Sequence, residues 1–170
     1  VLCDYTSAEL DLDDARVYRD LSKPMGAQDA ERFEKFAEKY EQLQEMGDEP
    51  YLYGSHYSNS AIVVHYLTRL EPYASFHVEF QSGRFDITDR LFFDVATTWD
   101  AASASTPDVK ELVPEFYTTP EFLENRCCFD FGERQDGTRV HNVALPPWAH
   151  GSAKAFVARN LQALESPHVS

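Results

Sequence analysis

Several segments between the helical parts of this chain are rich in aliphatic and aromatic residues, yet they also carry proline or glycine. Residues 50–58 and 111–120 are examples. Proline lacks a backbone N–H, and both residue types interrupt regular helices and strands. If such segments are buried, their backbone N–H and C=O groups must bond to side chains. The sequence therefore predicts irregular extended segments inside a helical shell, with polar side chains bonded to the main chain.

Apolar residues spaced three and four positions apart predict the helices of that shell. The predicted helices cover residues 29–46, 60–70, 88–99 and 120–125, and a last helix starts after Ser152. The stripe of the first helix consists of Phe33, Phe36, Tyr40 and Leu43. The last helix is expected to turn Phe156, Leu161 and Leu164 inward.

The remaining segments predict few strands. Residues 76–80 alternate apolar and polar side chains, which is the period of a strand, and Asp136-Gly137 is typical of a hairpin turn. We expect a surface loop over 101–108 and a rigid extended segment at Pro146-Pro147-Trp148. The predicted fold class is mainly α with irregular extended core segments and few short strands. A chain of 170 residues is long enough for one such domain.

Charge and cysteine content narrow the classes of partner. Fifteen Lys and Arg residues against 29 Asp and Glu residues give a net charge of −14. This excess argues against binding of nucleic acid or of anionic lipid headgroups. The longest aliphatic run, Ala61–Val64, is far too short to cross a bilayer, so no direct membrane insertion is expected. Three cysteines, two of them adjacent, form no disulfide framework and indicate a reducing, intracellular compartment.

Motifs that would indicate enzyme chemistry are missing from the sequence. It contains no glycine-rich phosphate loop, no nucleophile elbow and no His-Glu-x-x-His motif, so neither a cofactor nor a metal is expected. His65 lies beside an apolar stripe and is expected to be a packed residue. Cys127 and Cys128 are adjacent, so on an extended chain they point to opposite sides and cannot share one metal ion.

One hydrolytic alternative stays open. Ser55, His56 and Asp86 are the residue types of a nucleophile, a base and an orienting acid. Adjacent Ser and His residues do not easily adopt attack geometry, however, and no oxyanion loop is evident. The charges around Asp86, including Arg84 and Arg90, favour an ion-pair network that holds irregular backbone.

A series of short phrases, taken in order, covers essentially the whole chain. They are Tyr-Arg-Asp-Leu-Ser-Lys-Pro-Met-Gly-Ala-Gln (18–28), Tyr-Gly-Ser-His-Tyr-Ser (53–58), Gly-Arg-Phe-Asp (83–86), Asp-Arg-Leu-Phe (89–92), Thr-Trp (98–99), Lys-Glu-Leu-Val-Pro-Glu-Phe-Tyr (110–117), Val-Ala-Leu-Pro-Pro-Trp-Ala (143–149), Ala-Leu-Glu-Ser (163–166) and Val-Ser (169–170). In this order the phrases resemble a BEACH domain, the Beige and Chediak-Higashi module.

The resemblance implies a non-catalytic scaffold in membrane trafficking, with roles in vesicle and lysosome dynamics and in autophagy. It implies no catalytic residues and no cofactor. The expected partners are a preceding pleckstrin-homology-like domain, following WD40 repeats of the parent chain, and trafficking proteins. The expected location is cytoplasmic, peripherally associated with endomembranes. Residues 1–170 are expected to form a single partial BEACH domain, incomplete at the C-terminal end.

The candidate residues for protein binding are charged or aromatic side chains within the matching phrases. They are Arg19, Lys23, His56, Tyr57, Arg84 and Arg90. Arg and Tyr are common anchors of protein interfaces. The alternative for each is internal bonding to irregular backbone. Because the matching module continues beyond this chain, we also expect an unusually large exposed apolar surface.

Overall fold

The computed structural model describes residues 1–53 and 59–169. Within these ranges the α-helices are α1 (Ala30–Met46), α2 (Ser60–Leu67), α3 (Tyr73–Phe80), α4 (Val95–Ala104), α5 (Glu115–Thr118) and α6 (Ala153–Leu164). Short 3-10 turns lie at Ala15–Val17, Met25–Ala27, Thr88–Arg90, Pro120–Leu123 and Pro147–Ala149. Strand pairing in the described ranges is limited to isolated bridges, such as the one between Leu2 and Tyr18. The predicted fold class is confirmed.

Helix α1 follows its local sequence signals closely. Asp29 accepts a hydrogen bond from the Arg32 backbone N–H at 2.7 Å, and Gly47 ends the helix in the left-handed region at φ 79°. This N-cap and this C-terminal glycine are the expected end signals. The predicted apolar stripe, however, is only partly covered. Phe33 is exposed, and Arg32 is the only buried residue of the helix.

The predicted strand over 76–80 is wrong, because these residues belong to α3. Phe76 and Phe80 are four positions apart, which fits one face of a helix as well as the alternation of a strand. Both side chains are exposed, and the helix buries Ala74 and His77 instead. Helix α2 is shorter than predicted: it ends at Leu67.

Other boundaries also shift. The segment predicted as one helix over 88–99 divides into a 3-10 turn and α4, which begins after Asp94 because its carboxylate caps the Thr97 N–H at 2.6 Å. Helix α4 runs into the predicted surface loop and buries Ala102 there. The predicted extended segment over 146–148 contains a 3-10 turn. The hairpin turn at Asp136-Gly137 is confirmed, with a single bridge and no regular strands around it.

An aromatic cluster forms the centre of the main core. Tyr66 and Phe116 meet edge to face with ring centroids 5.2 Å apart, and Trp148 stacks on Phe156 of α6 at 5.4 Å. These geometries are typical of buried ring pairs. Ser152 caps α6 and Phe156 faces inward as predicted, but Leu161 and its neighbour Leu164 are exposed. A second, smaller cluster contains Leu91, Phe131 and Val140.

Candidate functional site

Arg32 bonds irregular backbone from within a helix. It lies in the first turn of α1 and is 1% exposed. Its guanidinium donates to the carbonyls of Ala102, Ser105 and Asp108 at 2.7, 3.0 and 3.0 Å, and also to the carbonyl of Met25. One side chain thus joins α1 to the turn before it, to the last turn of α4 and to the irregular chain that follows α4.

Arg69 has the same role on the other side of the core. Its Nε donates to the His141 carbonyl at 2.9 Å, and its Nη1 donates to the Phe92 carbonyl at 2.6 Å. The guanidinium carbon lies 4.9 Å from the centre of the Phe131 ring, which is a cation–π contact. Because Phe92 and Phe131 belong to different apolar clusters, Arg69 connects the two. Burial lowers the pKa of Arg69 to about 10, so the group stays protonated at neutral pH.

Neutral side chains complete this bonding of the main chain. The Asn125 amide donates to the Phe129 carbonyl at 2.8 Å and accepts from the Phe129 N–H at 3.0 Å. The Thr88 hydroxyl donates to the Phe131 carbonyl at 2.7 Å. As predicted, polar side chains therefore form hydrogen bonds with the N–H and C=O groups of irregular buried segments.

Arg32 and Arg69 were not among the residues predicted from the sequence, although the sequence contains a signal for both. Arg32 lies four positions before Phe36, and Arg69 lies three positions after Tyr66. Each arginine therefore falls on or beside the apolar face of a helical segment. A long cation at such a position either extends its head group to water or finds buried acceptors.

Two of the predicted binding residues, Arg19 and Lys23, have different environments. The Arg19 Nη2 donates to a Glu111 carboxylate oxygen at 3.0 Å, and the other oxygen of Glu111 accepts from the Met25 N–H at 2.9 Å. The Arg19 side chain is 14% exposed, so it fits the internal-bonding alternative. Lys23 is exposed and pairs with Asp20 at 3.2 Å.

Arg84 and Arg90 both lie on the surface, on either side of Asp86. The Arg90 Nη1 is 3.7 Å from the Asp86 Oδ1. Arg84 is exposed, and no carboxylate of residues 1–53 or 59–169 lies within ion-pair distance of it. The predicted ion-pair network therefore includes Arg90 but leaves Arg84 out. The other predicted binding residues, His56 and Tyr57, lie outside the described residues.

Asp86 is engaged in local bonding. Its Oδ1 accepts from the Ile87 N–H at 2.7 Å, and its own N–H donates to His77 Nε2 at 3.2 Å. These contacts match the predicted role in holding irregular backbone. The hydrolytic alternative stays untested, because Ser55 and His56 lie outside the described residues.

Two grooves flank this segment, and we call the region that they enclose the 81–90 surface. Groove A has a volume of about 520 Å³ and lies between residues 81–89 and 133–135. Groove B, of about 340 Å³, lies between the start of α2 and the end of α3 and includes Phe80 and Arg90. Gln81 and Asp86 line both grooves, so the two grooves adjoin each other. The 81–90 surface is accessible and combines apolar and charged side chains.

His65 is packed beside the core, as predicted. Its ring lies 5.3 Å from that of Tyr66 and 6.0 Å from that of Phe92. In the described part of the chain, its buried Nε2 atom has no hydrogen-bond partner. Burial, assisted by the positive charge of Lys110, lowers the pKa of His65 to about 3, although Asp108 opposes the shift.

We expect His65 to make the protein sensitive to acid. Its pKa is about 3 in the folded state, against 6.5 for an exposed histidine, so below pH 6.5 the unfolded chain binds the proton more readily. The contribution of neutral His65 to the free energy of unfolding is therefore complete above pH 6.5. It decreases as the pH falls from 6.5 towards 3, because protonation then favours the unfolded chain. Between about pH 7 and about pH 5, the unfolding equilibrium constant should rise more than tenfold in the wild type relative to His65→Leu. Urea unfolding at both pH values measures this.

The control for this prediction is His150→Asn, since His150 is exposed. This variant should keep the pH dependence of the wild type. Equal pH dependence in the wild type and in His65→Leu would show that His65 can be protonated inside the folded protein at no cost.

The described residues, 1–53 and 59–169, contain neither a metal-binding cluster nor a membrane-spanning helix. No group of three or more His, Cys, Asp or Glu side chains in these ranges has an arrangement that could hold a metal ion. None of the helices in the same ranges combines the length and the hydrophobicity that a bilayer span requires.

Comparisons with known proteins agree with the resemblance seen in the sequence. The family model described as Beige/BEACH domain matches residues 1–170. The whole chain aligns at 48% identity with BEACH domain-containing protein B of Arabidopsis thaliana and with Beige protein homolog 1 of Saccharomyces cerevisiae, and at 45% with the lysosomal-trafficking regulator of Homo sapiens. It spans 6%, 8% and 5% of the lengths of these proteins, respectively. Because the family model matches all 170 residues and these relatives are 45–48% identical to the chain, the chain belongs to the Beige/BEACH domain family.

Proposed function

We propose that this chain is a non-catalytic scaffold and protein-interaction module of a larger protein that acts in membrane trafficking. The main support is the use of its buried polar side chains. Arg32, Arg69 and Asn125 bond to main-chain groups rather than converging on an open cavity. An enzyme needs a nucleophile, a base and charge-stabilising donors directed at one accessible point. The name of the human relative, a lysosomal-trafficking regulator, supports a role in lysosome dynamics. Roles in vesicle dynamics and in autophagy belong to the proposal through the resemblance of the ordered phrases alone.

The proposed setting is a large polypeptide at the cytoplasmic side of endomembranes. A preceding pleckstrin-homology-like domain, following WD40 repeats and other trafficking proteins are its proposed partners. The net charge of −14 supports recruitment through proteins rather than through anionic lipid. The much greater length of the relatives supports a large parent protein.

We also propose that residues 1–170 are part of a single domain that further chain completes. Leu161 and Leu164 support this, because 43% and 41% of these side chains are exposed on α6. Apolar groups in such positions commonly mark contact surfaces.

Replacing Ser55 tests the scaffold proposal against the hydrolytic alternative. In cells that lack the parent protein, the full-length protein with Ser55→Ala should restore trafficking as well as the wild type does. A scaffold carries out no reaction, so its function should not depend on a nucleophilic hydroxyl group at this position. Removal of a catalytic nucleophile, in contrast, typically reduces turnover by about 10³-fold or more. The distribution of lysosome size is a suitable readout.

Arg32→Ala is the control for this experiment, because it should prevent rescue by lowering the amount of folded protein. If Ser55→Ala is present at the wild-type level and still fails to rescue, the hydrolytic alternative is favoured and the scaffold proposal is wrong.

A further inference from the structure

We propose that one side of helix α1 binds a basic amphipathic helix of a partner protein. The surface consists of two adjacent rows along α1: an apolar row of Phe33, Ala37 and Tyr40, and an acidic row of Glu34, Glu38, Glu41 and Glu45. Apolar side chains of the partner pack on the apolar row, and its lysines or arginines pair with the acidic row. This inference rests on the proposed function as an interaction module and specifies the chemistry of the partner.

The way α1 packs on the rest of the protein leaves this side of the helix accessible. Its 17 residues extend over about 25 Å, and it packs mainly on the Met25–Ala27 turn near its start. Phe36 meets the ring of Tyr53 edge to face at 5.2 Å, and the neighbouring Arg32 is buried. At 3.6 residues per turn, the apolar row lies about a quarter of a turn from this packed side, and the acidic row lies opposite it.

The apolar row is only partly covered by the protein itself. Phe33 is 39% exposed, and Ala37 and Tyr40 are half-buried. Apolar residues at spacings of four and three positions form the ridge through which two helices pack against each other. A partner helix therefore fits along this row.

The charges around the apolar row select a basic partner. Residues 29–49 contain eight Asp and Glu residues against three Lys and Arg residues, which gives this segment a net charge of −5. Its three cations are already engaged: Arg32 bonds to buried carbonyls, Lys35 pairs with Glu31 at 2.9 Å, and Lys39 lies over an aromatic ring. Among the described residues, no cation lies within ion-pair distance of the four carboxylates of the acidic row. Positive side chains on the partner complement this excess.

The acidic row is also unfavourable for α1 on its own. Successive carboxylates along the row are four, three and four positions apart. Like charges at these spacings repel each other on a helix and destabilise it. A partner that places positive charges beside the row removes this repulsion. An anionic membrane or a second copy of this chain, whose net charge is −14, would instead add negative charge.

The test measures the binding of fluorescent helical peptides to the purified protein. The reference peptide has about 18 residues, with leucines at spacings of three and four positions and lysines beside them. One counterpart has Glu in place of every Lys, and another has the same composition in a shuffled order that separates the leucines. The reference peptide should bind about tenfold or more tightly than either counterpart. Its binding should weaken as NaCl rises from about 50 to about 300 mM, because salt screens exposed charges.

Charge reversal in the acidic row tests whether α1 is the binding surface. The double variant Glu38→Lys, Glu41→Lys should weaken binding of the reference peptide at least about tenfold. Its melting temperature should stay the same or rise, because the new lysines attract the remaining glutamates of the row. The matched control reverses two exposed carboxylates on other helices, in the double variant Glu79→Lys, Asp100→Lys, and should bind within about threefold of the wild type.

The apolar row has its own pair of variants. Phe33→Gln should weaken binding at least about fivefold, because it removes the most exposed ring of the row. Phe76→Gln is the matched control, since Phe76 is 44% exposed on α3, and it should bind as the wild type does.

Equal losses in the two double variants would overturn the inference, because the effect would then come from net charge alone. So would equal binding of the reference peptide and its shuffled counterpart. A dimer of the protein that sedimentation detects and that Phe33→Gln dissociates would assign the surface to a second copy instead. If Ser55→Ala restores trafficking while the protein shows no preference for Lys over Glu peptides, the scaffold function stands and only this inference is wrong.

Discussion

Arg32→Ala is expected to lower the free energy of unfolding by about 4 kcal/mol. The carbonyls of Ala102 and Asp108 lose their donor, whereas those of Met25 and Ser105 each keep a backbone N–H. The shortened side chain also leaves a cavity, because Arg32 is 1% exposed. Each unsatisfied buried group costs about 1–3 kcal/mol, and partial relaxation of the chain recovers some of the total. Such a loss is a large part of the 5–15 kcal/mol of a typical domain. The melting temperature should fall by about 10 °C or more. Urea and thermal unfolding, followed by circular dichroism, measure both quantities.

Two further variants make this prediction specific. Arg16→Ala removes an arginine whose side chain is 90% exposed and pairs with nearby Asp14, so it should change stability by less than about 0.5 kcal/mol. Arg32→Lys keeps the charge but lacks the planar fork of donors, so an intermediate loss is expected. A loss below about 1 kcal/mol in Arg32→Ala would show that the irregular chain around Arg32 is held by other contacts.

The parts of the fold that depend on local chemistry could be predicted from the sequence. Helices α1 and α6 have strong apolar stripes, and they start after Asp29 and Ser152, whose side chains bond to the N–H groups of the first turn. Residues within the same few positions make these contacts, so a single sequence contains the necessary information. The mainly α class and the irregular, proline-interrupted core followed from the same kind of reasoning.

Features that depend on distant contacts were missed. Phe76 and Phe80 fit a strand and a helix equally well, and α3 is fixed by the burial of Ala74 and His77 against neighbouring elements. The carbonyls that Arg32 binds include one 76 residues away in the sequence, at Asp108. Periodicity shows that such an arginine is near the core, but it cannot identify its acceptors.

The candidate site also combines features that the local sequence predicts with features that depend on distant contacts. Membership of the family could be inferred from ordered phrases alone. The sequence could not separate Arg19, which bonds internally to Glu111, from Arg84, which is exposed and without an ion pair among the described residues. Both are arginines within matching phrases, and only the path of the chain around them distinguishes an internally bonded arginine from an exposed one.

Replacing Arg69 by methionine is expected to destabilise the protein by about 3 kcal/mol. Two opposing effects determine this value. The carbonyls of Phe92 and His141 lose their donors, which is unfavourable, and a buried charge with no carboxylate partner among the described residues is removed, which is favourable. The loss should be smaller than for Arg32→Ala, because methionine fills most of the space of the arginine side chain, whereas alanine leaves a cavity. Urea unfolding at neutral pH measures the difference.

Arg69→Lys gives the sharper comparison, because it separates the charge from the geometry of the donors. A lysine ammonium is more strongly hydrated than a guanidinium, and it lacks the planar face that lies over the Phe131 ring. We therefore expect Arg69→Lys to be at least as unstable as Arg69→Met. Arg84→Met, at an exposed arginine, should stay within about 0.5 kcal/mol of the wild type. If Arg69→Lys instead restores most of the stability, a buried positive charge alone would be sufficient, and the two directed hydrogen bonds would not be what joins the two apolar clusters.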